Sequence, residues 1–488
     1  MIRGQTLNVA LNPLGVRQLR DAETFYPAHL ALYNGVRTDG GFFKGRPGYD
    51  DVWDIGVDYP INLLIPKIRN VNTAGFAVTT IGTVYELFKD RTSALLTGAT
   101  LTGDFRPTWA EFDDLVIITD GQAPIQVNVG GTVSLLAGSP PAAKYIAVVA
   151  DRVVLSGYDA TGFVWSDPGT AIVWPAGNTS SVTGNGEQIR YMSVANQDLF
   201  FFKDASIEIW SHIGGTEVFG RRAIVTFVDK FTRNRGLSSF SVVQGDDTFF
   251  FYADGDFWVL NGFQPQRISA AYKRDIGNLL EVDMIYGFHF AKEHLIRWFE
   301  PVSARCFVYD YVNQVFTEDY GWLSGDFGRL PIYSYAEFDG VPYFGDYNPT
   351  GTVYRWGDDL LDDNGTPIHL LRRLRIPFSN LPVNGTMTMG HKARINRLRL
   401  RFQRGTGGSS SVTENLLVRW AIDEGDWSPY ATVTIGDSGD ADPYVDVYEP
   451  NGALTIGTGR ELKLEISQAI ATPHIMTHAL LTVQALGV

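Results

Sequence analysis

The sequence of 488 residues has one cysteine, no long apolar run and few charged residues. Cys306 stands alone, which excludes an internal disulfide and a cysteine-rich zinc site. No segment approaches the roughly 18 consecutive apolar residues of a membrane-spanning helix. The first residues also lack the apolar core of a secretory signal. We therefore expect a protein that is made in the cytoplasm and has no membrane-spanning segment.

The charge and the aromatic content narrow the expected fold class and the expected ligands further. Only 19% of the residues are charged, and the formal net charge is −14, which argues against general binding to the DNA backbone. Aromatic residues make up 13% of the chain, and its 51 glycines mark many turns. Aromatic and β-branched runs broken by Gly, Asn and Asp are typical of strands and tight turns. Amphipathic helical stretches are scarce, so the sequence predicts an all-β protein.

A repeat of about 45 residues organises the middle of the chain. Six segments share an apolar strand, a polar break and a second strand, and they align on Asp114, Asp151, Asp198, Asp247, His294 and Asp339. A unit of this size with four short strands is typical of a propeller blade. A weaker unit at residues 75–88 makes the number of blades six or seven. A long meander or two stacked sandwiches would have the same composition.

The two ends lack this repeat, which predicts three domains: an N-terminal extended arm (1–60), a β-propeller (61–365) and a C-terminal β domain with a basic segment (366–488). In the last domain, residues 397–402 alternate between arginine and apolar side chains, as a half-buried strand does. The remaining apolar runs there predict a small β-sandwich.

The basic segment, residues 369–404, has nine basic residues and no acid, whereas the rest of the chain has 31 basic and 54 acidic residues. We interpret this segment as a candidate assembly contact. The alternatives are the solvated face of an ordinary strand and a site for nucleic-acid phosphates. The candidate contact residues are Arg372, Arg373, Arg375, Lys392, Arg394, Arg397, Arg399, Arg401 and Arg404.

Motifs for catalysis, cofactors and metals give no strong signal. Residues 166–174 resemble a sialidase-type Asp box with the wrong spacing, and the acidic run 358–365 is interpreted as a solvated turn rather than a calcium loop. His474 and His478 have a spacing that would align metal ligands only on a helix. We predict no enzyme activity, no cofactor and no metal, and we interpret Cys306 as core packing. Paired glycosidase carboxylates would leave no sequence spacing, so this alternative stays open.

Several segments resemble the packaged-DNA stabilisation proteins, also called tail hub or nozzle proteins, of P22-like short-tailed bacteriophages. The resemblance is specific in two stretches: DLFFFKDASIEIW at 198–210, and RGLSSF at 235–240 with GDFWVLNGFQPQRIS at 255–269. The segments around Asn34, residues 44–48, residues 397–405 and residues 423–428 are similar as well. The order of strands and turns is similar over most of the chain, but the specific sequence motifs lie between residues 198 and 270.

The resemblance implies a virion structural protein located in the phage tail. Six copies would form a ring below the portal-adaptor protein, extend the channel for double-stranded DNA and contact a tail needle or plug and tailspikes or fibres. Such a subunit would retain the packaged genome and conduct it during ejection, without binding it specifically. We expect acidic side chains to dominate the lumen and the basic segment to lie at contacts. The alternative is a β-propeller tail protein that binds or hydrolyses glycans.

Overall fold

The computed structural model describes residues 5–10, 28–37, 43–66, 71–128, 130–183, 186–214, 218–228, 236–269, 276, 279, 281–323, 325–360, 362–377, 382–383, 386–387, 393–404, 414–436, 444–447, 457–470 and 474–485. The chain forms two compact units. One, the propeller unit, contains Asp50–Ser303 and Pro331–Gly357. The other, the second unit, contains Met1–Tyr49, Ala304–Leu330 and Asp358–Val488. Among the described residues, no helix has the length and hydropathy needed to cross a membrane.

Six sets of four strands in the propeller unit, five of them separate sheets, confirm the predicted β-propeller. The first sheet contains β6 (Ile61–Ile65), β7 (Thr73–Thr79), β8 (Val84–Phe88) and β9 (Ser93–Leu95). The second contains β10 (Thr108–Phe112), β11 (Leu115–Thr119), β12 (Ile125–Val127) and β13 (Val133–Leu135). The third contains β14 (Tyr145–Val149), β15 (Arg152–Ser156), β16 (Gly162–Trp165) and β17 (Thr179–Ser181).

The remaining three sheets follow the same pattern. The fourth contains β18 (Ile189–Ala195), β19 (Asp198–Lys203), β20 (Ser206–His212) and β21 (Phe219–Thr226). The fifth contains β22 (Val243–Gly245), β23 (Thr248–Ala253), β24 (Asp256–Asn261) and β25 (Gln264–Arg267). The sixth contains β32 (Ile332–Phe338), β33 (Val341–Asp346), β34 (Thr352–Gly357) and β5 (Gly48–Asp54).

The weaker unit at residues 75–88 forms β7 and β8 of the first sheet, whereas the unit aligned on His294 forms a hairpin between the fifth and sixth sheets. It contains β26 (Tyr286–Phe290) and β27 (Leu295–Glu300), and Tyr286 Oη donates a hydrogen bond to the Ile332 carbonyl of β32 at 3.2 Å. The ring closes where Ser334 Oγ donates to the Ile61 carbonyl at 2.8 Å. The unit therefore has six four-stranded blades and a seventh inner strand, β26.

The polar breaks of the sequence repeat are tight turns in the left-handed region. Between β14 and β15, Ala150 and Asp151 have φ of 50° and 56°, the sign that a type I′ hairpin requires at both central positions. Asp339, with φ of 52°, begins the corresponding turn between β32 and β33. His294, the aligned residue without Asp or Gly chemistry, also adopts a left-handed φ of 56° after a short 3₁₀ segment, Ala291–Glu293.

Adjacent blades stack through aromatic side chains. Phe200 and Phe202 of β19 pack against Phe249 of β23, with ring centroids 4.8 and 5.3 Å apart. Phe251 and Trp258 belong to the same buried cluster. Because both faces of such a sheet are covered by neighbouring blades, the strands are apolar on both sides rather than alternating. This packing accounts for the run LFFF at residues 199–202.

The second unit is built from two large sheets and short hairpins. One sheet has the order β28 (Arg305–Asp310), β29 (Val315–Asp319), β2 (Ala28–Tyr33), β36 (Thr366–Pro377), β44 (Glu461–Ile470), β40 (Glu414–Ile422) and β41 (Ala431–Gly436). The other contains β1 (Gln5–Ala10), β3 (Gly35–Arg37), β4 (Phe43–Gly45), β39 (Ala393–Arg404), β42 (Tyr444–Val447), β43 (Gly457–Gly459) and β45 (His474–Ala485). Short pieces are β30 (Gly321–Leu323), β31 (Asp326–Gly328), β35 (Asp362–Asp363), β37 (Pro382–Val383) and β38 (Thr386–Met387), with 3₁₀ segments at Ser239–Ser241 and Val282–Met284 in the propeller unit.

The compact units differ from the predicted domain boundaries. Part of the predicted N-terminal arm forms β5, where Trp53 packs against Phe338 and Tyr343 of the sixth sheet. Residues 304–330, predicted within the propeller, belong to the second unit, where β29 lies parallel to β2. A strand contributed from a distant part of the chain leaves no trace in a local repeat, which is why the sequence placed both boundaries elsewhere.

Candidate functional site

The first strands of the propeller sheets surround a cavity of about 220 Å³, which we call the axial cavity. All seven inner strands or the segments next to them contribute to its wall. Representative lining residues are Asn62, Thr108, Ile146, Tyr191, Val242, Tyr286 and Ser334. Because one liquid water occupies about 30 Å³, this volume corresponds to about seven waters or one small organic ligand.

Arg106 is the charged residue of the axial cavity. Its Nη2 donates a hydrogen bond to the Tyr333 carbonyl, and its guanidinium carbon lies 4.5 Å from the ring centroid of Tyr286 and 4.9 Å from that of Tyr333. Phe240 and Phe288 are the next nearest rings, at 5.7 and 5.9 Å. Burial lowers the pKa of the guanidinium. No Asp or Glu is found among the described lining residues, so the cavity carries a positive charge without a protein counter-ion.

Two uncharged polar side chains share the wall with Arg106. Burial raises the pKa of Tyr191, although the charge of Arg106 acts in the opposite direction. The Tyr191 hydroxyl forms no hydrogen bond within the described part of the chain. Asn62, at the β-bulge of β6, is 4% exposed, and its Oδ1 has no hydrogen-bond partner among the described residues. The cavity therefore offers hydrogen-bonding capacity that the protein does not use.

Arg46 of the second unit, a buried arginine, has the opposite surroundings. Its Nε donates to Asn34 Oδ1 at 3.0 Å, and its Nη1 donates to the Pro47 carbonyl at 2.9 Å and Asp363 Oδ1 at 2.8 Å. Its Nη2 donates to the Tyr320 carbonyl at 2.9 Å and to Asp363 Oδ2. Burial alone would lower the pKa of Arg46, but the ion pair with Asp363, together with the charges of Asp319 and Tyr49, outweighs it and raises the pKa. All five donors are used, as in a structural node.

The ion pair between Arg46 and Asp363 also shows what the acidic run 358–365 does in the fold. Asp363 pairs with Arg46, and Asp362 Oδ1 accepts a hydrogen bond from the Gly365 backbone at 2.9 Å. The predicted turn is thus confirmed at Asp362. Within the described part of the chain, no group of three or more His, Cys, Asp or Glu residues is arranged to hold a metal ion.

Two glutamates lie close together in the fourth sheet. A glycosidase would need such a pair of carboxylates to be accessible to its substrate. Lys203 Nζ lies 2.8 Å from Glu208 Oε1 and 3.5 Å from Glu187 Oε2. Trp210 Nε1 donates to Glu208 Oε2 at 3.3 Å, and Ser206 Oγ donates to Glu187 Oε2 at 2.5 Å. The side chains of Lys203 and both glutamates are at most 3% exposed. This arrangement fits a buried ionic network better than a reactive pair.

The structure places the nine candidate contact residues in different environments. Arg372 is buried in β36, and burial lowers its pKa to about 9. Arg373 and Arg375 form ion pairs with Glu465 and Glu461 of β44. Arg394 is exposed. Strand β39 also contains Arg397, Arg399, Arg401 and Arg404, whose side chains lie outside the described residues, and Lys392 lies outside them entirely. A contact role for the nine residues stays a prediction.

The weaker motifs have structural explanations. Ser166 Oγ accepts a hydrogen bond from the Val153 backbone at 3.0 Å, and Trp174 Nε1 donates to the Ala171 carbonyl at 2.9 Å, so both residues stabilise the third blade. Cys306 is 2% exposed, which confirms its assignment to the core. His474 and His478 lie in strand β45, where a four-residue spacing spans more than 12 Å.

Comparisons with known proteins give no family. No protein-family model matches the chain, and no curated protein matches it. Among solved structures, it is similar to the computationally designed protein Ika8 (13% identity, 63% of this chain and 99% of that chain, TM-score 0.38). It is also similar to virginiamycin B lyase from Staphylococcus aureus (10%, 72% and 98%, TM-score 0.40). A third is the extracellular domain of the putative hybrid two-component system BT4673 from B. thetaiotaomicron (10%, 80% and 47%, TM-score 0.46). At these identities and TM-scores, the similarities carry no information on activity.

Proposed function

We propose that the chain is a structural subunit of a short phage tail, a hub or nozzle protein that retains packaged DNA and conducts it during ejection. The proposal rests on the resemblance of residues 198–210 and 235–269 to the packaged-DNA stabilisation proteins. Further support comes from what these residues do in the fold: they hold strands and blades together.

The phrase at residues 261–269 is the observation that carries the proposal. Arg267 lies over the Trp258 ring at 4.9 Å, with Nη1 3.7 Å from Asp256 Oδ2. Ser269 Oγ donates to Asp256 Oδ1 at 3.1 Å and accepts from the Phe257 backbone at 2.8 Å. Arg267 and Ser269 of this motif thus hold the outer strand, β25, against the rest of the fifth blade. A sequence motif that a family of structural proteins shares is expected to stabilise the fold in this way.

The N-terminal phrase has the same character. Asn34 and Arg46 are both part of the resemblance, and they meet in the fully hydrogen-bonded node with Asp363. Asn34 also accepts from the Tyr320 backbone at 2.6 Å and donates to the His369 carbonyl at 2.8 Å. The node therefore joins three distant parts of the sequence. Residues with this role stabilise one folded shape. A virion subunit needs such a fixed shape in order to assemble.

The charge of the chain suits a duct for DNA. Each phosphate that a wall neutralises adds a salt-dependent increment of affinity and would slow passage. A net charge of −14 per subunit, repeated around a ring, favours repulsion. In this proposal acidic side chains line the channel, and the partners are further copies of the chain, a portal-adaptor protein, a needle or plug, and tailspikes or fibres.

Assembly of the recombinant chain with the portal-adaptor protein of its phage tests the proposal. Native mass spectrometry and negative-stain microscopy should show a ring of six copies on the adaptor. Filter binding at physiological salt should show no retention of linear double-stranded DNA. A chain that stays monomeric with the adaptor and is absent from purified virions contradicts the proposal.

A glycan-binding propeller is the second candidate, and the axial cavity favours it. The rings of Trp109, Phe240, Tyr286 and Phe288 line that cavity together with polar groups. Aromatic walls with a few placed polar groups are typical of small-molecule sites. This candidate predicts saccharide binding by a monomer. It is compatible with a tail location but does not require the ring.

A further inference from the structure

We propose that the axial cavity binds a small organic carboxylate of sugar-acid size, with Arg106 as the residue that binds the carboxylate. This inference does not depend on the nozzle function, because it concerns one propeller unit and needs no partner chain.

The first argument is the unused capacity of Arg106. An arginine has five N–H donors in a planar fork, and Arg106 uses one of them in a hydrogen bond to the Tyr333 carbonyl. Within the described part of the chain Arg106 forms no ion pair, and it is partly exposed to the cavity. A partly buried cation without a counter-ion attracts an anion, and the guanidinium fork matches a carboxylate in bidentate geometry.

The second argument is the shape and chemistry of the wall. Aromatic rings of Phe240 and Phe288 stand beside the guanidinium and can cover the apolar face of a sugar ring. The hydroxyl of Tyr191 and Oδ1 of Asn62 offer hydrogen bonds that no residue in the described part of the chain takes up. A ligand that fits needs a carboxylate, hydroxyl groups and an apolar face within about 220 Å³. A uronic acid meets all of these conditions.

The comparison with Arg222 shows that ring contact alone does not make such a site. Arg222 lies 5.0 Å above the Phe263 ring, but its Nη1 is 2.7 Å from Asp198 Oδ2 and its side chain is 54% exposed. Its charge is already paired. Arg222→Gln is therefore the matched control for Arg106→Gln, because both substitutions remove an arginine from an aromatic ring.

Titration calorimetry of the recombinant chain with D-glucuronate, D-glucose and inorganic phosphate tests the proposal. We expect glucuronate to bind at least tenfold more tightly than glucose or phosphate. Arg106→Gln should abolish this binding, and Arg222→Gln should keep it unchanged. Far-ultraviolet circular dichroism must show that each variant is folded. Methyl β-D-glucuronide identifies the source: equal binding assigns the ligand to the end of a glycan, and weaker binding assigns it to the free acid.

Two further measurements keep the test decisive. If Arg106→Gln does not fold, Arg106→Lys retains the charge without the fork and should weaken glucuronate binding at least tenfold. Tyr191→Phe should weaken it by a smaller factor. Equal binding of glucuronate and glucose overturns the proposal, as does a folded Arg106 variant that binds glucuronate like the wild type. Preference for phosphate overturns the assignment to a carboxylate.

Discussion

Two arginines, one buried in the second unit and one half-buried in the propeller unit, show how differently the same side chain can be used. Arg46 fills all five N–H donors with protein acceptors, two of them on Asp363. Among the described residues, Arg106 has one hydrogen-bond acceptor, the Tyr333 carbonyl, and aromatic rings surround the rest of its guanidinium. The first arrangement fixes a structure, because removing either partner leaves a buried charge. The second directs donors toward a cavity, as the proposed carboxylate site requires.

The largest expected effect concerns the paired arginine. Arg46→Met removes the cation and leaves Asp363 buried without its partner, so we expect a loss of about 3–5 kcal/mol in the free energy of unfolding. Urea denaturation followed by circular dichroism measures this loss. The matched control is Arg222→Gln, which removes a cation that is 54% exposed and leaves Asp198 with its hydrogen bond from Ser211, so it should cost clearly less, about 1 kcal/mol. Equal effects of the two substitutions would remove the distinction.

A smaller effect is expected at the neighbour that orients Arg46. Asn34 has φ of 58°, so Asn34→Gly keeps this left-handed conformation accessible while removing the amide. The substitution leaves Arg46 Nε and the Tyr320 backbone N–H without acceptors, which should cost about 1–3 kcal/mol. The same denaturation experiment measures it. Full stability of the Gly variant would show that the node tolerates unpaired donors.

Acid should weaken another paired site of the second unit. Burial alone would raise the pKa of Glu465, but hydrogen bonds from Arg419, Tyr430 and Arg373 outweigh it and lower the pKa. A carboxylate with a lowered folded pKa stabilises the protein above its unfolded pKa, and this contribution is lost as pH falls through the folded value. Thermal melts between neutral and acidic pH should show a smaller loss for Glu465→Gln than for the wild type. Identical profiles would refute this role.

The smallest stability effect is expected at the open arginine. Arg106→Met loses one hydrogen bond and cation–π contacts of about 0.5–2 kcal/mol. It also removes a desolvated charge that no carboxylate of the described residues balances, so the two changes oppose each other. We expect the free energy of unfolding to change by less than about 1 kcal/mol. A loss as large as that of Arg46→Met would show that Arg106 stabilises the fold as Arg46 does. It would argue against a ligand site at Arg106.

The sequence predicted the propeller because each blade repeats the same local pattern of strand, left-handed turn and strand. It could not predict the two arginine sites. Arg46 and Asp363 are separated by 317 residues, and neither segment shows that it needs the other. Arg106 precedes β10, and its ring neighbours come from other blades, so no spacing marks the cavity. The acidic run around Asp363 predicts a solvated turn, whereas the fold buries its side chain against Arg46.

Basic residues illustrate the same limit. Nine of them in one segment predict a shared surface, yet the fold buries Arg372 and pairs Arg373 and Arg375 with acids of β44. A strand places successive side chains on opposite faces, so a run of like charges in sequence is divided between two environments. Composition shows how many charges a segment carries, whereas the register of its partner strand decides which of them are paired.

Electron microscopy of the chain mixed with a portal-adaptor protein, the partner that the proposed function gives it, tests the central claim most directly. The proposed function predicts a sixfold ring on the adaptor, with a continuous channel wide enough for double-stranded DNA and acidic side chains on its wall. A monomer that does not bind the adaptor, or a ring whose channel is lined by the basic segment, would contradict it.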